Sequence, residues 1–181
     1  MDLSDGERLI LLMLCDMQKG DPVRREIDPD FVQDTIVNNQ LWGLKFKYEG
    51  LLPGPSQMPP EASEVFEILE MYRLLSAHYN GMSDADKKRI DSEAPSDSLK
   101  FPGFDSHDAG DHSAIAQYVV EQLKLFSEFK NNIGSGVGTL DRFRRMLGVF
   151  LPLRNTLGDG KMTVDQMLSV LNEVTHPSRR T

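Results

Sequence analysis

The sequence predicts an all-α fold: a single helical domain with at most a short strand element near the N-terminal third. Three observations carry that expectation. Apolar residues recur at spacings of three and four in the long segments, the period of a helix packed on one side. Helix-start residues (Ser4, Asp28, Ser83, Thr139 and Thr163) stand just ahead of those segments. No internal repeat of fixed period is superimposed on the pattern. The 181 residues suit one domain with a sizeable core. That domain, 1–181, divides into N-terminal helices and an arm (1–52) and a helical core (60–175).

The first helix is predicted over 5–19, opened by a Ser4/Glu7 capping box and ended by Gly20 and Pro22, with Leu9, Leu12 (or Met13) and Met17 as its buried stripe. Residues 23–27 read as loop. Asp28-Pro29 opens a second helix with Phe31, Val32, Ile36 and Val37 on one side, stopping near Asn38 and Asn39. In 41–49, Leu44, Phe46 and Tyr48 alternate with Lys45, Lys47 and Glu49, a strand period. Helix–helix–strand order is compatible with part of a winged helix, but a short strand or extended arm over the core is the simpler reading. The proline-rich run 52–60 excludes regular structure.

Residues 61–80, EASEVFEILEMYRLLSAHYN, organise the rest. Val65, Ile68, Tyr72, Leu75 and Tyr79 form a stripe, Phe66 and Leu69 widen it, and Met71 and Leu74 lie further round. Only Glu67, Glu70 and Arg73 claim a wet strip, so this helix needs neighbours on more than one side. Gly81 closes it. Ser83 and Asp86 cap a short polar helix to about Ile90, and 91–99 reads as a charged loop. Phe101 and Phe104 bracket Pro102-Gly103 in a tight turn that carries both rings inward. After the polar run 106–113, a helix over 113–130 aligns Ile115, Val119, Leu123 and Phe126. Residues 131–138 read as loop, Thr139 caps a helix over 140–151, 152–160 is a connector, a last helix covers 164–174, and 176–181 is a basic tail.

A net charge of −8 disfavours broad binding to nucleic acid or anionic membrane, since both require a large basic surface. Cys15, the one cysteine, sits among Met13, Leu14 and Met17 and reads as a buried, reduced thiol. The start MDLSDGER does not fit a signal peptide, and no apolar run nears the roughly 20 residues of a membrane span. A soluble cytoplasmic protein without a cofactor is the expectation.

Several separated motifs occur in a familiar order: Glu7-Arg8-Leu9-Ile10-Leu11, Glu70-Met71-Tyr72-Arg73, Phe101-x-Gly103-Phe104-Asp105, and the run from Leu140 to Leu147 (LDRFRRML). With the aromatic segment 43–52, they resemble the YfbU-like family of uncharacterised bacterial proteins over about residues 7–172. The resemblance implies a cytoplasmic, mainly helical domain and no known reaction. It also marks Asp105 and Arg145 as a candidate pair. One departure is clear: the stretch after Phe104-Asp105 is longer here and holds His107, Asp108, Asp111 and His112.

Those four residues are the sharpest chemical signal, with imidazoles and carboxylates at metal-ligand spacing and Asp105 as a possible extra ligand. With His78 upstream and Asp141 or Asp165 downstream they resemble the pattern of helical metal-dependent phosphohydrolases. That pattern sets its His-Asp pair deep in an apolar helix, whereas here it follows a Pro-Gly turn in polar sequence. A solvated segment whose Asp111 or Ser113 caps the next helix is the expectation. Removing His107 and His112 together should then leave stability largely intact.

The glycine-rich run 134–139 lacks the preceding strand and the lysine of a phosphate loop. Residues 155–166 resemble a calcium loop, but Leu157 and Gln166 replace needed ligands, and Thr163 with Gln166 makes a better capping box. Arg142, Arg144, Arg145 and Arg154 are the densest basic feature. Arg142 and Arg145 share a helix face and are candidates for an anion or for acids such as Glu67, Glu70 and Glu121. The leading functional reading is a non-enzymatic regulatory or protein-interaction module. A metal-dependent hydrolase on the His/Asp cluster and a nucleic-acid-associated regulator using the part before Pro53 are the alternatives. Excess apolar surface predicts a homodimer, with Trp42, Phe46 and Tyr48 as candidate contacts, and leaves room for an unidentified protein partner.

Overall fold

The computed structural model describes residues 2–19, 26–52, 57–105, 110–134, 139–157 and 160–179. Among them the regular structure is helical and no strand occurs. The helices are α1 (Asp5–Gln18), α2 (Pro29–Val37), α3 (Trp42–Lys47), α4 (Pro60–Asn80), α5 (Asp84–Glu93), α6 (Gly110–Glu121), α7 (Leu140–Leu157) and α8 (Val164–Leu171), with short 3-10 turns at Ser127–Asn132, Asn172–Val174 and Pro177–Arg179. No helix of the described residues is long and apolar enough to cross a membrane.

The start signals work as their chemistry dictates. Ser4/Glu7 and Thr163/Gln166 each form a complete capping box, and the Asp28 and Ser83 side chains accept the free amides of α2 and α5. Pro60 occupies the first turn of α4, where its fixed φ suits the helix and its missing N–H costs nothing.

Helix α4 is the centre. It packs against α6 on one side and α7 on another, and Ala62, Val65, Ile68, Leu69, Met71, Tyr72 and Leu75 are all buried. The Phe101–Phe104 turn delivers its rings to this helix, with Gly103 at φ 87°, a conformation that favours a residue without Cβ. Tyr72 stacks edge-on against Phe101 (5.4 Å) and Phe143 (5.8 Å), and Phe104 meets Phe143 at 5.4 Å. Burial raises the Tyr72 phenol to about 12.

Four expectations need correction. The alternating segment 41–49 is not a strand but α3. Its register turns Trp42, Gly43 and Leu44 inward together, which a strand cannot do for three consecutive residues. Gly43 lies so close to the Tyr118 hydroxyl that a Cβ there would overlap it. Secondly, of the stripe expected on α1 only Leu12 faces inward. Leu11, Leu12 and Cys15 lie toward the protein, while Leu9, Met13 and Met17 are exposed. Thirdly, the helix expected over 113–130 stops at Glu121. Fourthly, α7 does not end at Leu151 but runs to Leu157 with Pro152 inside it.

Cys15 is buried as expected, and its thiol pKa is raised, chiefly by desolvation, which keeps it protonated and unreactive. Arg8 joins α1 to the end of α2 through the Asn39 side chain (2.8 Å), and Thr35 joins α2 to α6 through the Tyr118 hydroxyl (2.7 Å).

Candidate functional site

A groove runs along the wet strip of α4. Phe66, Glu67, Glu70 and Arg73 form one wall, Leu125 and Phe126 the other, and Arg154 near the end of α7 stands at its rim. Its volume is about 370 Å³, within the range of roughly 300–1,000 Å³ of ligand-sized sites. The walls are aromatic: Phe66 lies 5.8 Å from Phe126 and 5.6 Å from Phe46, and the Arg73 guanidinium sits 4.9 Å over the Phe126 ring. The rim is charged and internally paired, Arg73 with Glu70 and Arg154 with Glu67 at 3.8 Å.

The far wall exists because α6 stops early. The amides of Gln122 and Leu123 both donate to the Tyr118 carbonyl, and the Leu125 amide returns to Val119. The chain then turns back through two left-handed residues, Lys124 at φ 59° and Phe126 at φ 52°. Neither is glycine, so each holds a conformation costing about 1–2 kcal/mol. Strain of this kind persists where the surroundings impose it, commonly at working sites. Here it holds the Phe126 ring between Phe66 and Arg73.

A second constellation clamps three helices together. Glu64 of α4 takes two hydrogen bonds from Arg144 of α7, at 2.7 and 3.0 Å, and one from His112 Nε2 of α6, at 2.8 Å. His112 is 6% exposed and lies against the Phe104 ring. The Arg144 hydrogen bond is the largest influence holding the Glu64 carboxyl below its ordinary value of 4.5, and the His112 bond adds to it. The same pairing raises the Arg144 pKa. All three polar groups satisfy one another, so the cluster reads as a fastening between helices.

The residues singled out by sequence are scattered by comparison. His107 and Asp108 lie outside the described residues. Asp111 is exposed in the first turn of α6. The solvated segment expected at this point does not hold for His112, which is buried because Glu64 and Phe104 receive it. Of the wider phosphohydrolase pattern, His78 accepts the Met162 amide at 3.5 Å and Asp165 pairs with Arg89 at 2.7 Å. No group of three metal-ligating side chains occurs among the described residues.

Asp105 is buried and partnered, and Arg145 donates to the Glu173 carbonyl at 3.2 Å. Arg142 stacks 5.5 Å over Phe143, with its Nε buried and unpaired. Of the candidate interface aromatics, Trp42 is buried against Tyr118 and so is no surface contact. Tyr48 is half-buried and accepts the Asp28 amide, and Phe46 is exposed beside the groove.

Sequence reasoning missed Glu64, Arg144 as its partner, and the second wall of the groove. Glu64 lay in an apolar helix where one more acid drew no notice. The left-handed turn at 124–126 carries no glycine or proline to announce it.

No solved structure matches the chain. A profile of the YfbU domain matches residues 47–172, which take in the groove and the Glu64 clamp and leave α1, α2 and most of α3 outside. The match spans more than half of the chain, and the protein belongs to the YfbU domain family.

Proposed function

We propose that the protein is a non-enzymatic interaction module, and that its groove takes a short segment of a partner protein. The observation that carries this reading is the placement of Phe126. A bulky residue in the left-handed region is held against Arg73 and Phe66 to make an aromatic wall at the edge of the core, where both rings are only partly buried. The walls suit one aromatic or large aliphatic anchor. The paired charges of the rim suit flanking residues of both signs.

Selection of displayed peptides on the full chain tests the reading. Enriched peptides should share one apolar anchor between charges. Phe126→Ala should weaken them at least about tenfold, the effect of a central interface residue. Glu70→Lys should change which charges are selected. Peptides that bind Phe126→Ala and Glu70→Lys as well as they bind the parent protein would place the docking surface elsewhere.

A further inference from the structure

We propose that α1 is a self-association element through which two copies of this chain pair, antiparallel, about a twofold axis near Met13. This goes beyond the groove and does not rest on it. Leu9, Ile10, Met13, Leu14 and Met17 are 60, 59, 58, 49 and 79% exposed. At about 100° per residue they fall within one arc of roughly 140°. Helix α1 is therefore apolar on two faces, and only the Leu11–Leu12–Cys15 face is covered by its own chain.

The charges choose the occupant. A helix lying on a membrane surface needs a cationic polar face. The polar positions of α1 and its C-cap carry Asp5, Glu7 and Asp16 against Arg8 and Lys19, in a protein of net charge −8. A second copy fits better, because in an antiparallel pair the apolar arc meets itself and the acidic first turn (Asp5, Glu7) of each helix lies at the same end as the other's C-cap Lys19, which in the single chain is paired with Asp16 at 3.2 Å. With Met13 on the axis, Leu9 meets Met17 of the second copy. The two helix dipoles then also oppose favourably.

Area sets the strength. Each α1 is a rod ~21 Å long and ~10 Å wide, which offers several hundred Å² to a pair. That falls short of the ~800 Å² per partner of a standard stable interface. The pair is thus concentration-dependent, with a midpoint between about 1 and 100 μM.

Sedimentation of the full chain from about 1 to 100 μM should show monomer passing to dimer. Met13→Glu should remain monomeric throughout, with an unchanged melting temperature at the dilute end, since Met13 is exposed in the monomer. In a Cys15→Ser background, Met13→Cys should cross-link to itself under mild oxidation. Leu9→Cys should cross-link to Met17→Cys in a mixture and only poorly to itself.

A monomer at about 100 μM overturns the proposal. If that monomer binds phosphatidylserine vesicles through α1, the face belongs to a membrane. A dimer that survives Met13→Glu, or one whose self-cross-link forms at Leu9→Cys and not at Met13→Cys, also overturns it.

Discussion

Helices α1 and α4 are built from similar material and meet opposite fates. Both carry leucine, isoleucine and methionine around more than half of their circumference. In α4 seven residues are buried, between α6 and α7. In α1 only Cys15 is buried, and five large apolar side chains face outward from a helix packed on α2. Apolar width in a sequence says how many sides a helix wants covered. It does not say whether its own chain covers them. The family match begins at residue 47, so the helix with the open face also lies outside the matched residues.

The widest separation between the two should appear in truncation. Leu69→Ala in α4 should cost roughly 2–5 kcal/mol, the range for emptying a well-packed site. Leu9→Ala in α1 should change stability by less than about 0.5 kcal/mol in the monomer. Urea unfolding of both at low concentration checks this. A cost above about 2 kcal/mol for Leu9→Ala would mean that α1 is covered.

The next prediction tests how α3 is fastened to the core. Gly43→Ala drives a methyl group into the Tyr118 hydroxyl and displaces its bond to Thr35. Overpacking of this kind costs about 1–3 kcal/mol. The loss should read out as a lower thermal midpoint. No loss would mean that α3 is loose.

Third is the fastening around Glu64. His112→Ala should cost about 1–3 kcal/mol by leaving a partly buried carboxylate short of a donor. The folded pKa of Glu64 lies below its ordinary 4.5, so its stabilisation is full at neutral pH and is lost as pH falls through the folded value. Glu64→Gln should therefore destabilise at pH 7 and converge on the parent protein in acid. Parallel stability curves across that window would contradict the clamp.

The smallest effect belongs to the groove. Lys124→Gly removes a left-handed penalty of about 1–2 kcal/mol and adds about 0.5–1 kcal/mol of chain-entropy cost, for a net gain of up to about 1.5 kcal/mol. A clear loss of stability would mean that residue 124 is not strained.

Much of this was legible in the sequence, and the exceptions have a common cause. The capping boxes at Ser4 and Thr163, the helix stop at Gly81, the aromatic turn at Phe101–Phe104 and the central helix are local signals that read true. The failures lie where a distant partner decides. Residues 41–49 alternate like a strand, but Tyr118 leaves room only for a glycine-bearing helix beside it. The inward face of α1 is chosen by α2, and the early end of α6 by the turn that seats Phe126. His112 looked solvated because its receiving carboxylate lies 48 residues away in the chain.

Helix α4 is covered by its own chain, whereas the open face of α1 is proposed to be covered by a second copy. Amide hydrogen exchange at about 1 and 100 μM tests it most directly. Amides of residues 60–80 should be slow and equally protected at both concentrations. Those of residues 5–18 should exchange fast when dilute and slow markedly at the higher concentration. An α1 as well protected as α4 in the dilute sample, or one indifferent to concentration, would contradict it.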